Sequence, residues 1–112
     1  MTLVGNRPLP GNATRWHVLP DQRALVATVS ERILGSAGHA IRERGVFRMV
    51  LAGGTTPAAV YTRLTAADTD WSGWQIFYGD ERCLPADHPE RNSNMASEHW
   101  LQRVALPAAN IH

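Results

Sequence analysis

Residues 46–52, VFRMVLA, are a nearly continuous apolar run of strand length, and they run straight into GGTTP. A run with so little alternation is expected where both faces of a parallel strand are covered, so this segment is predicted to be a central strand. The stretch that follows, AAVYTRL, puts Val60, Tyr61 and Leu64 on one helical face before AADTDWSG interrupts the pattern. WQIFY at 74–78 is then a further strand of the same apolar character. Strand, helix and strand in this order require a crossover, which favours a parallel pair with right-handed connection.

The upstream chain extends the pattern. RWHVL at 15–19 reads as a short strand, Pro20 and Asp21 as a turn and helix cap, and Leu25, Val29, Ile33, Ala37 and Ile41 recur every fourth residue, with Val26 and Leu34 widening the stripe. Gly45 ends that helix, and Arg42 and Arg44 lie in its last turn, where positive charge suits the dipole. Downstream of WQIFY comes a long loop, GDERCLPADHPERNSN, then a helix expected from about Asn94 to Val104, then LPAANIH, in which Ile111 and His112 have no account. The alternation predicts an α/β domain built on a parallel sheet with flanking helices. Three parallel strands are few for such a sheet, which looks incomplete, and an open edge beside a buried strand predicts self-association.

Residues 1–14 include Gly5, Pro8, Pro10 and Gly11 and are expected to form a flexible lead-in, leaving 15–112 as the folded part. With 112 residues, 44% of them hydrophobic and 19% charged, the chain is globular and suits one domain or part of a larger one. Such a chain buries roughly 65% of its unfolded surface, enough for a single core.

Charge and cysteine usage exclude several classes. A net charge of +1 with scattered charged residues leaves no basic stripe for nucleic acid. All eleven positive side chains are Arg, so neither a P-loop lysine nor a Schiff-base lysine exists in the chain. An anion must therefore be held by Arg, by polar side chains or by main-chain N–H groups. The single cysteine, Cys83, rules out an internal disulfide and a Cys-rich zinc site, and fits a reducing, cytoplasmic setting. The N-terminus lacks an apolar signal region and no stretch approaches 18 apolar residues, so neither secretion nor membrane spanning is suggested.

Ligands of open α/β sheets bind beyond the carboxyl ends of the strands, where both GGTTP and GDER fall. Thr56 is expected as helix cap and Pro57 as the first helical residue, leaving free N–H groups that attract phosphate. Gly53 and Gly54 would permit positive φ and close approach of an anion, and Thr55 and Thr56 would add hydroxyl donors. The same residues also suit an ordinary strand-to-helix turn. Neither a Walker A pattern nor GxGxxG is present, which argues against a dinucleotide. Asp80, Glu81 and Arg82 follow an apolar strand directly; Asp80 and Arg82, two apart, point the same way if extended geometry persists. An arginine near Asp80 would make it an orienting carboxylate and a weak base. An ion pair in a solvated loop is the alternative.

His17, His39, His88, His99 and His112 lack metal-pair spacing; His17 and His39 read as structural or exposed, and His88 lies in the long loop, from which it could approach the site, although loop histidines are mostly solvated. Cys83 has no positioned base and reads as a small buried hydrophobe. Trp16, Trp71, Trp74 and Trp100 are expected to pack against the sheet or its rim.

LAGGTTPAAVYTRL followed by WQIFYGDERCLPADHPERNSNMASEHWL resembles the 6-phosphogluconolactonase family, a relative of the glucosamine-6-phosphate isomerases and deaminases. The likeness runs from about Arg15 to the end and rests on two motifs in the right order. It implies a Rossmann-like fold related to doubly wound sheets, and hydrolysis of 6-phosphogluconolactone to 6-phosphogluconate in the pentose phosphate pathway without a metal or other cofactor. By resemblance, Gly53, Gly54, Thr55 and Thr56 form the phosphate-side loop, Asp80 and Arg82 are the charges of the site, and Ser93 and Asn94 match an SN pair of the family. Arg82, where the related isomerases carry an aromatic residue, favours the lactonase over an amino-sugar-phosphate isomerase or deaminase. Family members are about twice as long, and their DGH motif, whose histidine is thought to activate water, does not occur here. The resemblance thus implies an N-terminal half: a fragment, a split gene product or a remnant completed by another chain, with a phosphosugar-binding or assembly module without turnover as the non-catalytic alternative.

Overall fold

The computed structural model describes residues 4–8, 15–81, 83–85, 87–88 and 91–112. Its longest element, helix α1 (Gln22–Arg44), begins and ends where its punctuation requires. The Asp21 side chain accepts a hydrogen bond from the Ala24 N–H at 2.8 Å, and Gly45, at φ 76°, caps the C-terminus by donating to the Ile41 carbonyl at 2.8 Å. Ser30, Ala37 and Ala40 are the buried small residues of the helix, and Val26, Val29, Ile33, Leu34 and Ile41 pack around the core.

Strand β3 (Phe47–Leu51) and strand β4 (Trp74–Tyr78) pair in parallel, Phe47 opposite Trp74 and Leu51 opposite Tyr78, and helix α2 (Thr55–Leu64) connects them. The phase of the pair decides its packing. Phe47, Met49 and Leu51 share a face with Trp74, Ile76 and Tyr78, and all six join the core cluster with α1, α2 and helix α3 (Asn92–His99). Arg48 and Val50 point the other way, and Val50 is 66% exposed. The expectation that VFRMVLA is covered on both faces is therefore corrected: among the described residues one face is covered. Arg48, the charge inside the run, marks the face left open.

The three-stranded parallel sheet is also corrected. Strand β2 (Arg15–Val18) pairs antiparallel with strand β1 (Val4–Pro8), separately from β3 and β4. Within the expected lead-in, Val4–Pro8 is thus a strand whose register shifts between Val4 and Arg7, with Pro8 at its end, where a missing N–H is tolerated. Propensity identified 15–18 as a strand but carries no information on its partner. A third parallel contact comes instead from the chain's end, where Ile111 bridges Ile76 and the His112 N–H donates to the Ile76 carbonyl at 2.9 Å. The His112 ring stacks on Phe77 with centroids 4.7 Å apart, and its Nε2 donates to Gln75 Oε1 at 2.7 Å. These contacts supply the account that Ile111 and His112 lacked.

Under the sheet lies an aromatic cluster. Trp74 and Trp100 are fully buried, with ring centroids 5.7 Å apart, and Trp71 lies 4.7 Å from Trp74. Phe47 meets Trp74 edge-on at 4.8 Å and Tyr61 stacks on Trp100 at 5.4 Å. Trp16 is 58% exposed, so the expected packing of the tryptophans holds for three of the four. Helix α3 is shorter than expected, starting at Asn92, and Leu101–Arg103 continues as a 3-10 turn.

Candidate active site

Both loops that the sequence singled out leave the same end of the β3–β4 pair. The Gly79 N–H, just after β4, donates to the carbonyl of Leu51, the last residue of β3, at 3.2 Å, which holds the two exits side by side. The β3 exit is further fixed by Tyr61, whose hydroxyl accepts from the Ala52 N–H at 3.0 Å and donates to the Ala52 carbonyl at 2.9 Å. One side chain thereby satisfies both polar groups of the residue that precedes the glycines. Burial raises the Tyr61 pKa, opposed in part by the Ala52 hydrogen bond, so the hydroxyl stays protonated and able to donate at neutral pH.

The turn into α2 differs from the expected one. Gly54, at φ 110°, is the cap residue, Thr55 is the first helical residue and Pro57 the third; the cap carries no side-chain hydrogen bond. A glycine with positive φ lets the chain turn into the helix two residues earlier than a threonine cap would. Pro57 fits because a helix's first turn has N–H groups without intrahelical partners in any case. Gly53 is not in the positive-φ region. Its lack of a side chain serves another purpose, since a Cβ there would lie 2.1 Å from Asn92 Oδ1. The Thr56 hydroxyl accepts from Gln22 Nε2 at 2.9 Å, tying the starts of α1 and α2.

Among the described residues, the N–H groups of Gly53, Gly54, Thr55 and Thr56 meet no protein acceptor; the first intrahelical bond is from the Ala58 N–H to the Gly54 carbonyl at 3.1 Å. The start of α3 is the reverse case. Glu81 accepts from the Asn92 N–H at 2.6 Å and from the Ser93 N–H at 3.0 Å, and Arg91 Nη2 lies 3.5 Å from the same carboxylate. One helix start is neutralised by an internal anion, and the other, beside it, presents its amides unpaired.

Glu81 is thus a structural carboxylate, a role that its place in a charged cluster did not reveal. Glu81→Ala is expected to cost at least about 1–2 kcal/mol in urea unfolding, as loss of a charged helix cap does, with the half-buried Arg91 left without its carboxylate. An unchanged midpoint would contradict that assignment.

Asp80 is exposed at the β4 exit, and Asn92 reaches it through Nδ2, 3.4 Å from both its carbonyl and its Oδ1. Asn92, buried at 6% exposure, is a second residue whose role sequence reasoning missed, because its burial and its partners are set by the fold. Arg82 lies outside the described residues. Ser93 contributes its N–H to Glu81, and Asn94 Nδ2 donates to the His88 carbonyl at 2.9 Å, so this pair braces the loop and the start of α3. Arg91 Nη1 adds a contact to the Leu84 carbonyl at 3.4 Å. Cys83 is exposed, which corrects its reading as a buried hydrophobe: it follows the charged exit and lies clear of the core.

Away from the site, Arg32 donates to His17 Nδ1 at 3.2 Å, the His99 ring lies 3.2 Å from the Thr62 hydroxyl, and His39 is exposed on α1. An apolar crevice of about 230 Å³ between α1, β3 and α2 adjoins Thr56 and Pro57, lined by Leu25, Val29 and Met49.

Residues 20–112 match the family model of the glucosamine-6-phosphate isomerases and 6-phosphogluconolactonase. The chain belongs to this family. A 6-phosphogluconolactonase of Nostoc sp. is 44% identical over 95 residues, a match spanning 85% of this chain and 40% of the relative. The crystal structure of 6-phosphogluconolactonase from Thermotoga maritima superimposes with a TM-score of 0.77 at 32% identity, covering 84% of this chain and 42% of that one. The enzyme of Trypanosoma brucei gives 0.75 at 28% identity, covering 85% and 37%. The Rossmann-like α/β architecture expected from the sequence is thus shared with solved lactonases, and the chain spans about 40% of the length of the relatives it matches. Both candidate loops, Gly53–Thr56 and Asp80–Asn94, fall inside the family match.

Proposed function

We propose that this chain carries the phosphate-anchoring part of a 6-phosphogluconolactonase, which hydrolyses 6-phosphogluconolactone to 6-phosphogluconate in the pentose phosphate pathway. The observation that supports this most directly is the unpaired set of amides at Gly53–Thr56, one strand away from Asp80. A phosphate bound at the start of α2 uses a charge remote from the reacting bond to position the ring, so that binding energy is spent on orientation. Water attacks the lactone carbonyl, the resulting oxyanion collapses, and the ring oxygen leaves and takes up a proton. Arg82 stabilises the oxyanion or holds the phosphate, and Asp80 orients water or a sugar hydroxyl. Ser93 and Asn94, expected on the phosphate side, serve it indirectly in this reading, by bracing the loop after β4 and the start of α3. The general base is a histidine from the part of the fold that the longer relatives contain beyond this match.

Residues 15–112 are, on this reading, the N-terminal part of a cytoplasmic sugar-phosphate lactonase/isomerase α/β domain. Among the described residues no helix is long and apolar enough to cross a membrane. The open sheet face, with Val50 exposed, favours self-association or a complementing C-terminal half. Sedimentation of the chain at micromolar concentration is expected to show species larger than a monomer; a stable monomer across that range contradicts the association.

Lactone hydrolysis and 6-phosphogluconate binding, measured together on this chain, test the function. Binding with turnover supports the lactonase. Binding without turnover supports a phosphosugar-binding module that needs the remaining half, and absence of both overturns the reading. In the complete enzyme, Arg82→Ala is expected to lower kcat/KM at least about tenfold, the loss of one preorganised charge at the transition state. An unchanged rate removes Arg82 from the mechanism.

A further inference from the structure

Two polar side chains are buried among the described residues, Ser30 and Asn92. Ser30 needs no functional account, because its hydroxyl donates to the Val26 carbonyl within its own helix at 2.7 Å. Asn92 is different. It is the first residue of α3, its N–H is taken by Glu81, and its carboxamide turns away from the helix. The carboxamide lies against Gly53, Oδ1 nearest, so closely that no Cβ fits between them, and Nδ2 also donates to the Asp80 carbonyl and carboxylate, 3.4 Å from each.

We propose that Asn92 is a positioning residue that couples the Gly53–Thr56 loop to Asp80. The proposal rests on the function proposed above and adds a means by which occupancy of the anion site reaches the carboxylate. The carboxamide is planar and lies between the loop and Asp80, so it shifts as one unit. When an anion draws the loop amides toward itself, Gly53 shifts against Oδ1 and the opposite edge of the amide changes its contact with Asp80. The two long contacts leave room for that change, since donor–acceptor distances below 3.2 Å are the norm for N–H donors.

The test uses the isotopically labelled chain titrated with 6-phosphogluconate, with the Asp80 carboxyl carbon and the Gly53–Thr56 amides as reporters. In the wild type both sets are expected to shift with one Kd. In Asn92→Ala the loop amides still shift, with Kd within about threefold, and the Asp80 response falls to less than a third. Asn92→Ser replaces it if amide dispersion shows that the alanine variant is unfolded. A full Asp80 response in either folded variant, or an unresponsive Asp80 in the wild type when the loop amides shift, overturns the proposal. If 6-phosphogluconate moves no loop amide, the lactonase reading falls separately. The coupling is then decided without ligand by Gly54→Ala, which strains the loop at its positive φ and is expected to shift Asp80 in the wild-type background but not beside Asn92→Ala. Equal Asp80 shifts in the two backgrounds refute it.

Discussion

Gly53→Ala is expected to destabilise the chain by roughly 2–5 kcal/mol and to weaken phosphosugar binding at least tenfold, although Gly53 has an ordinary backbone conformation. The new methyl would lie 2.1 Å from Oδ1, 2.6 Å from Cγ and 2.9 Å from Nδ2 of Asn92. Asn92 has little freedom to retreat, being buried and held at the first turn of α3 through Glu81. Relief therefore requires displacing the loop, which costs overpacking energy, or tearing the carboxamide from Asp80, which leaves a buried amide unpaired. Urea unfolding gives the stability and calorimetric titration with 6-phosphogluconate gives the binding. The double variant Gly53→Ala/Asn92→Ala separates this mechanism from a backbone effect. It is expected to recover part of the loss and to be non-additive, because the two residues act through one contact. Strict additivity would mean that the loop suffers for another reason.

Trp74→Ala is expected to cost about 3–5 kcal/mol, the range for an aromatic side chain deleted from a packed core. Trp74 is fully buried at the first residue of β4 and touches Phe47, Trp71 and Trp100 at centroid distances of 4.8, 4.7 and 5.7 Å. It therefore joins the sheet, the turn before β4 and the segment after α3. Its indole N–H reaches Thr69 Oγ1 at 3.4 Å, so most of the loss is packing. Against a typical domain stability of about 5–15 kcal/mol this removes a large share of the total. The unfolding temperature should fall by roughly 15–25 °C in scanning calorimetry, and a fall below about 5 °C would contradict the central place given to this residue.

The legible parts of the fold are those specified by local chemistry. Helix α1 could be read to its boundaries because Asp21 and Gly45 satisfy its ends and the apolar positions recur every fourth residue between them. The two strands of the parallel pair announced themselves by apolar runs of the right length. Strand β2 was legible as a strand but not as half of a hairpin, because its partner is chosen by tertiary contacts that its own residues do not encode. The open face of β3 was hidden for a related reason: an apolar run tells what a strand can bury, not what covers it within this chain.

The site divides along the same line. Glycine, threonine and proline after a strand marked the α2 start, although the choice of Gly54 as cap moved the boundary by two residues. Glu81 and Asn92 escaped notice because their partners lie elsewhere in the chain, the helix amides for one and the Gly53 backbone for the other. A charged triplet looks the same in sequence whether its middle member meets substrate or caps a helix.

The most direct test of the account is a crystal structure of this chain with 6-phosphogluconate bound. It predicts phosphate oxygens within about 3.2 Å of main-chain N–H groups in the segment 53–56, with the sugar carbons extending toward Asp80. A phosphate seated anywhere else, or at the start of α3 in place of the Glu81 carboxylate, would contradict it.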